Sequence, residues 1–509
     1  MKFILILLSL YSFNALAIEG CQNKDLGKMA LLQNGRIKPL YVHANETIKY
    51  LTGKTKHNGL NATQIYCQLS LSIFDVDSPR IDLPALVEHV KVKELLGEAR
   101  LFREIETDYR QDIMLAMRKA SEGSSEQKAF RSLLGRLNLY QSLKSGINWT
   151  APTPDMLTFD AWEPVANIFG VIPKEDMTRA KEIFFGELDR RANLYGEKYE
   201  TKHLLEYKYA KARLPMVALF LTLLAIAAGV LRKNFIWALG LTGLTLAVQT
   251  VLIALRVYIS GRAPITNMYE TVLFSGYAAL FLAAIIGHFK KDKLYVFIGL
   301  GYNVLSIFML NFSGGMLSAS IGPLVPVLRD NFWLSTHVTS IIASYGALAL
   351  SWILANTALI RNRVRPMSNK EVNHYAGIMY TCLQFSVVLL AGGIILGGVW
   401  ADYSWGRFWG WDPKETWSLI VLCIYMIILH GRYTSWITPR RFFPLTAAAF
   451  LSVMMAWFGV NYILASGLHS YGFSEGGAIF LGGFFLVQII ILAITTGPLL
   501  KGTRESKTA

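Results

Sequence analysis

The chain has 509 residues, of which 53% are hydrophobic, and its formal net charge is +15. Its mean hydropathy of +0.36 is too high for a soluble globular protein of this length, so we expect an α-helical polytopic membrane protein. Basic residues in such proteins collect in cytoplasmic loops, and the positive charge is therefore no reason to expect nucleic acid as a partner.

The first 17 residues have the pattern of a secretory signal peptide. An apolar run follows Lys2, and residues 15–17, Ala-Leu-Ala, give the small-x-small pattern of a cleavage site. A lipid anchor on Cys21 is the less favoured alternative, because the residues before it make a poor lipobox. We therefore expect the residues that follow to be exported.

Residues 18–213 contain no run that is long and apolar enough to cross a bilayer, so they are expected to form a soluble, mainly helical periplasmic domain. Its predicted elements are a turn and a short extended piece over Gln33–Leu40, a strand over Ile65–Asp75, helices over 83–145 with a break at Glu122–Ser125, a loop over Trp149–Pro173 and a charged helical stretch over 174–213. The helices are predicted from apolar pairs at three- and four-residue spacing.

The four cysteines fall into two groups. Cys21 and Cys67 lie in the exported region, where a disulfide could persist, and the sequence leaves open whether they pair. Cys382 and Cys423 lie in apolar segments. Because the chain has no CxxC, it is neither an obvious thiol reductant nor itself a c-type cytochrome. The exported region also holds four histidines without metal-ligand spacing, expected to be exposed or locally hydrogen-bonded: His43, His57, His89 and His203.

Residues 214–500 are expected to form a transmembrane domain, followed by a cytoplasmic tail over 501–509. Nine apolar windows predict the spans 214–231, 235–258, 268–288, 294–312, 333–360, 376–399, 416–435, 442–465 and 477–500. The signal peptide places the start of the first span outside. Fifteen Lys and Arg residues then fall in loops assigned to the inside against five at the outside, as the positive-inside rule requires.

Five tryptophans lie within residues 400–417, which we call the tryptophan segment. Tryptophan has a large, flat, polarizable face, so a cluster of them outside a bilayer could hold a flat apolar ligand such as haem. An aromatic belt at the membrane interface is the alternative reading. Belt residues are scattered at span ends, whereas this segment joins aromatic, small and charged residues in one ordered run, which favours a binding site.

Two histidines are predicted on the same outer face as the tryptophan segment. His337 opens the fifth span and His469 closes the eighth, so both could ligate haem iron. His430 is placed in the inner half of the seventh span, where an ionisable residue suggests function or snorkelling. Candidate cations for the haem propionates are Arg407, Arg256 and Arg262. Two roles are open to Asp412, Lys414 and Glu415. We favour hydrogen bonds and ion pairs that hold the loop in place, rather than acid–base catalysis.

The segment WGRFWGWDPKE (405–415) resembles the tryptophan-rich "WWD" signature of haem-handling proteins in cytochrome c maturation. Further segments resemble the CcsA (ResC) family of the system II cytochrome c synthetase: PITNMYE (264–270), His337 with Tyr345, LHGR (429–432) and GLHSYG (467–472). The resemblance covers residues 235–500.

This resemblance implies that haem b passes from an intramembrane site to an external WWD site and is attached there to CxxCH cysteines of apocytochrome c. Carried over, His337 and His469 are the external axial ligands and His430 is an intramembrane ligand. Trp400, Trp405, Trp409, Trp411, Arg407 and Asp412 belong to the haem platform. The second intramembrane ligand would come from a CcsB (ResB)-like subunit, or alternatively from His288.

The resemblance also implies a holocytochrome c synthase (haem lyase) that acts as part of a complex in the cell inner membrane. A thioredoxin-like partner would keep the apocytochrome thiols reduced, because the chain itself has no CxxC. Two alternatives remain open from the sequence. The first is a CcmC-like exporter or carrier that hands haem to a chaperone, and the second is an unrelated polytopic transporter with an aromatic gate.

Overall fold

A computed structural model of the chain describes residues 19–72, 81–153, 162–173, 177–198, 201–231, 235–313, 316–324, 326–464 and 477–505. The chain divides into two compact units, Met1–Ala212 and Arg213–Ala509. The sequence places the same division one residue later, after Arg213. The predicted signal peptide lies outside the described residues.

The first unit is mainly helical and also contains short antiparallel hairpins. Its strands pair as β1 (Ala30–Gln33) with β2 (Arg36–Pro39), β3 (Lys56–His57) with β4 (Leu60–Asn61), and β5 (Thr150–Pro152) with β6 (Trp162–Pro164). Its helices are α1 (Leu40–Thr52), α2 (Ala62–Leu71), α3 (Val90–Leu96), α4 (Phe102–Glu104), α5 (Arg110–Lys119), α6 (Ser125–Lys144), α7 (Val165–Gly170), α8 (Met177–Lys198) and α9 (Lys202–Ala212). A π-helical turn, Ile105–Tyr109, joins α4 to α5.

The helices predicted over 83–145 and 174–213 are present, and further predictions for this unit are partly confirmed and partly wrong. The turn before β2 is present, with Asn34 and Gly35 both at positive φ, and Ser124 caps α6 within the predicted break. The strand predicted over Ile65–Asp75 is wrong, because α2 covers its described first part and starts at a capping box on Asn61. The loop predicted over Trp149–Pro173 is wrong in part, because it contains β5, β6 and α7.

The core of the first unit surrounds a disulfide between Cys21 and Cys67, both of which are buried. His43 is also buried in this unit, and its Nε2 lies 3.0 Å from Asn148 Oδ1. Burial lowers the pKa of His43 to about 4, with a smaller contribution from Lys38, because a charged imidazole would lose its hydration. His43 therefore has the locally satisfied role expected from the sequence.

The second unit is a helical bundle. Among the residues that the structure describes, nine helices are long and apolar enough to cross a membrane, which confirms the nine predicted segments. They are α10 (Leu214–Leu231), α11 (Ile236–Ser260), α12 (Met268–Lys290), α13 (Lys293–Phe312), α14 (Asn331–Val364), α15 (Asn369–Trp405), α16 (Pro413–Tyr433), α17 (Pro439–Tyr462) and α18 (Gly477–Leu499).

Helices α14 and α17 form the centre of this bundle and are its most buried spans. Helix α14 packs against α12, α13, α15, α17 and α18. Side-chain amides hold the surrounding helices together, because polar groups in an apolar environment must find partners. Asn303 bonds to Gln249 and Thr222 at 2.9 and 3.1 Å, and Gln488 bonds to Asn356 at 3.0 Å.

A buried ion pair fixes the start of α12. Arg256 Nη2 lies 2.6 Å from Glu270 Oε1, and both side chains are 1% exposed. Thr266 donates to the other carboxylate oxygen through its N–H and its hydroxyl, at 2.8 Å each. The glutamate of the PITNMYE segment therefore organises the chain just before α12, and Arg256, proposed as a propionate ligand, is committed to this pair.

Candidate functional site: a tryptophan-lined cavity

The tryptophan segment is more helical than its sequence suggests. Helix α15 continues through Trp405, and Gly406 ends it at a φ of 67°. Helix α16 begins at Pro413. Residues 406–412 alone connect the two helices, so Trp400 and Trp405 lie on a rigid element.

The start of α16 is built by the residues WDPKE. Asp412 is the N-cap, and its Oδ1 accepts hydrogen bonds of 3.0 Å from the backbone N–H groups of Lys414 and Glu415. Glu415 completes a capping box, and its Oε2 also accepts the Gly410 N–H at 2.6 Å. Arg407 reaches the other oxygen of Glu415 at 3.4 Å. Asp412 and Glu415 thus have the loop-fixing role that the sequence favoured.

A cavity of about 180 Å³ lies beside this connection. It is mostly apolar and is lined by residues of the PITNMYE segment, α14, α15, the tryptophan segment and α17. Its lining includes Asn267, Met268, His337, Tyr345, Trp400, Trp405, Phe408, Trp409, Lys414, Glu415, Trp457 and Asn461. The structure therefore brings His337 together with three of the predicted tryptophans.

The His337 ring is held by backbone from a neighbouring helix. Its Nδ1 lies 2.8 Å from the carbonyl oxygen of Gly393, and its ring centroid lies 5.8 Å from that of Trp400 in an edge-on arrangement. A carbonyl can only accept, so Nδ1 carries the proton and Nε2 carries the lone pair. Histidines that bind metals are commonly oriented in this way by a backbone carbonyl.

Gly397 makes room for this ring. A Cβ atom at position 397 would lie 2.5 Å from Cε1 of His337, a distance that real Cβ contacts do not reach. Glycine at 397 therefore permits α15 to approach the histidine closely. The next glycine has a similar role, because a Cβ at Gly398 would lie 2.4 Å from the Phe408 ring.

Two π-helical turns lie in the cavity wall. His337 is in the turn Leu334–Val338 of α14, and Trp457 is in the turn Met455–Gly459 of α17. Such turns insert one residue into a helix and often occur at functional sites, because they redirect side chains without ending the helix. Here they lie on the two most buried spans. The turns displace His337 and Trp457 from regular helical positions at the cavity.

Other predicted site residues lie elsewhere. Trp411, Arg407 and Asp412 are absent from the described cavity lining. Trp411 is 68% exposed at a φ of 57°, and its ring meets Trp409 edge-on at 5.8 Å. His469 lies outside the described residues, although Asn461, earlier in the same chain segment, lines the cavity. Arg262 donates to the carbonyl oxygen of Gly322 at 2.7 Å.

His430 lies on α16 and is exposed on the surface of the bundle. Its Nδ1 is 2.8 Å from the carbonyl oxygen of Met426, one turn earlier in the same helix. This bond again leaves the lone pair on Nε2. His288, the alternative second ligand, also lies on an exposed part of its helix, beside Phe289.

Sequence reasoning missed several lining residues. Trp457 and Asn461 were read only as part of an apolar span, yet Trp457 Nε1 donates to Thr271 at 3.2 Å within the wall. Lys414 was read as a loop-fixing charge, yet it lines the cavity. The four-residue spacing of Trp457 and Asn461 places both on one helical face, and this was the signal available in the sequence.

Comparisons with known proteins agree on the second unit. A family model described as "Cytochrome C assembly protein" matches residues 265–469. The chain is similar to the cytochrome c biogenesis protein CcsA of Guillardia theta, with 33% identity over 268 residues that cover 48% of this chain and 87% of CcsA. It is also similar to CcsA of Mesostigma viride, with 30% identity over 298 residues that cover 53% of this chain and 97% of that CcsA. Protein NrfI of Wolinella succinogenes is 36% identical over 233 residues, and this match covers 44% of the chain but 25% of NrfI.

Proposed function

Because the chain belongs to the CcsA family of cytochrome c biogenesis proteins, we propose that it binds haem b in the tryptophan-lined cavity and presents it for attachment to apocytochrome c. His337 and His469 are the axial ligands of the iron in this proposal. The chain acts as a holocytochrome c synthase in complex with a CcsB-like membrane subunit.

The observation that carries the proposal is the setting of His337. Its ring is fixed by the Gly393 carbonyl, its Nε2 carries the lone pair, and it stands in an apolar cavity beside Trp400. Neutral imidazole is a common axial ligand of haem iron, and an apolar, aromatic surrounding suits the porphyrin. Among the described residues, no group of three or more His, Cys, Asp or Glu side chains could hold a bare metal ion. A single histidine among aromatic rings suits haem better.

The indole rings would supply the platform. Trp400, Trp405 and Trp409 line the cavity together with Phe408. Their flat faces offer dispersion contacts to a macrocycle of similar shape, and the rigid end of α15 keeps two of them in place. Trp411 and Asp412 would support the site from behind, the first through its edge contact with Trp409 and the second by capping α16.

The reaction then depends mainly on positioning. Thioether formation adds a cysteine S–H across a haem vinyl group, with the sulfur and the hydrogen ending on the two vinyl carbons and no leaving group. Holding both reactants together can supply much of the rate. The chain must leave reduction of the apocytochrome thiols to a thioredoxin-like partner, because its cysteines form no CxxC.

The inner site is proposed at His430. Its ring is exposed on α16 rather than enclosed by this chain, which suits a haem site completed by a CcsB-like subunit. In the orientation predicted by the basic loops, His430 faces the cytoplasmic half of the inner membrane. The tryptophan segment and the first unit then face the periplasm.

The test is haem binding by the purified full-length protein in detergent, alone and with its CcsB-like subunit. We expect the absorption spectrum of a low-spin haem with two axial imidazoles. The complex should also form a covalent product with an apocytochrome c peptide that contains CxxCH. Absence of haem binding in both preparations would overturn the proposal. Haem binding without covalent product would favour a haem carrier.

A further inference from the structure

Two tryptophans that line the cavity have an indole N–H group that lacks a hydrogen-bond partner among the described residues. The two groups are Nε1 of Trp400 and Nε1 of Trp409, and both atoms are buried. Trp400 as a whole is 6% exposed. An indole N–H can only donate, and a buried donor without an acceptor is unfavourable. Both groups therefore point to an acceptor that a ligand brings.

The charges in the wall favour an anionic acceptor. Lys414 and Glu415 are the charged side chains among the described lining residues, apart from the titratable His337. The Glu415 carboxylate is engaged by Arg407 at 3.4 Å and by the Gly410 N–H at 2.6 Å. Its charge is thus offset within the protein. The Lys414 side chain, which has Asp412 as a neighbouring carboxylate, also lines the cavity and brings a cation to it.

Arg407 is the weaker candidate for this role. It was the cation expected from the sequence to meet a haem propionate, but it is not part of the described lining. Its guanidinium packs over the Trp405 ring at 5.9 Å and reaches Glu415. These contacts give Arg407 a structural role in the connection between α15 and α16.

We propose that Trp400 Nε1, Trp409 Nε1 and the Lys414 ammonium form a carboxylate-binding subsite that holds a haem propionate. This inference rests on the proposed function and deepens it. All three groups are donors, and a carboxylate is acceptor-only when ionised. Propionate and vinyl groups occupy different edges of the porphyrin. Anchoring a propionate therefore also sets which way the reactive vinyl groups face, which attachment to cysteine requires.

The experiment compares haem b with its dimethyl ester, in which both propionates are neutral, by titration into the full-length protein in detergent. The wild type should bind haem b at least about tenfold more tightly than the ester, since hydrogen bonds to a charged group are strong. Lys414→Met should abolish this preference and Lys414→Arg should retain most of it. Trp400→Phe and Trp409→Phe remove only an N–H from a ring and should each reduce it several-fold.

Matched controls come from the surface of the second unit. Lys290→Met removes an exposed cation, and Trp436→Phe removes the indole N–H of a side chain that is 71% exposed; both should retain the preference. A wild type that binds both porphyrins equally, or a preference that survives in Lys414→Met, would overturn the subsite and leave haem binding intact. If Lys414→Met does not fold, the two Trp→Phe variants decide alone. Failure of the wild type to bind either porphyrin would instead overturn the proposed function.

Discussion

His337 and His430 make the same hydrogen bond in different surroundings. Each ring has its Nδ1 2.8 Å from a backbone carbonyl oxygen. For His337 the carbonyl belongs to Gly393 on a neighbouring helix, and the ring lines a cavity. For His430 the carbonyl belongs to Met426 on the same helix, and the ring is exposed. The chain thus surrounds the His337 ring with a cavity, whereas it leaves the His430 ring on its surface.

The largest effect is expected from His337→Ala. Under the proposed function it removes an axial ligand while the other cavity walls remain, so we expect the haem affinity of the purified protein to fall by about 100-fold or more, beyond what loss of an outer-shell partner costs. Added imidazole should partly restore binding by occupying the vacant position. His374→Ala is the control, because His374 is 52% exposed and pairs with Asp292 at 3.1 Å. Unchanged haem affinity in His337→Ala would refute the external-ligand assignment.

His430→Ala tests whether the exposed histidine on α16 contributes to haem binding at the cavity of His337. In the isolated chain, haem bound at His337 should be unaffected. In a complex with the CcsB-like subunit, loss of the inner site should reduce haem at both sites several-fold, since the external site would lose its supply. The measurement is haem per protein in both preparations. Full haem loading of the mutant complex would exclude a relay from the inner to the outer site.

A smaller effect is expected from Gly397→Ala. The added Cβ would lie 2.5 Å from Cε1 of His337, so the ring must turn away from its present position while remaining in the cavity. We expect haem affinity to fall by about tenfold, the lower end of what altered ligand orientation costs. Gly392→Ala is the matched control on α15, because its Cβ meets nothing within 4 Å. Equal affinities of the two variants would show that the orientation of His337 is unimportant.

The spans of this protein could be predicted from sequence because bilayer thickness demands long apolar runs, and those runs are plain in the chain. The ends of these helices could not be predicted in the same way. Helix α15 continues to Trp405, where Gly406 adopts the left-handed conformation that ends it. The strand predicted over Ile65–Asp75 failed for a related reason, since a short apolar run is ambiguous and the capping box at Asn61 favours helix.

The site was predictable in part. The spacing of residues in the tryptophan segment, and the prediction that His337 lies on the same side of the membrane, indicated a haem platform. Three tryptophans of the segment do line one cavity. Which cation faces that cavity depends on how the chain folds between α15 and α16, because Arg407 lies in the connection and Lys414 lies in the first turn of α16. Sequence spacing alone therefore could not separate Lys414 from Arg407. The pairing of Cys21 with Cys67 was likewise left open, because it depends on the fold of the first unit.

The smallest expected effect on haem concerns His43, a buried histidine of the first unit. Its Nε2 lies 3.0 Å from Asn148 Oδ1, and burial lowers its pKa from the ordinary value of 6.5 to about 4. Between these two pH values the unfolded state binds more protons than the folded state, so the free energy of unfolding rises with pH. His43→Gln should leave haem affinity unchanged.

The pH dependence provides the positive measurement for His43. Stability of the first unit should fall by about 1–2 kcal/mol from pH 7 to pH 5 through this residue alone, because an unfolded His43 gains a proton that the folded form excludes. Hydrogen exchange of α1 in the full-length protein reports it, once exchange rates are corrected for pH. Burial also lowers the pKa of His203 to about 4, so His203 contributes a similar pH dependence of stability to the wild type and to the variant. His43→Gln should therefore show a shallower dependence than the wild type, and equal slopes would mean that His43 does not titrate on unfolding.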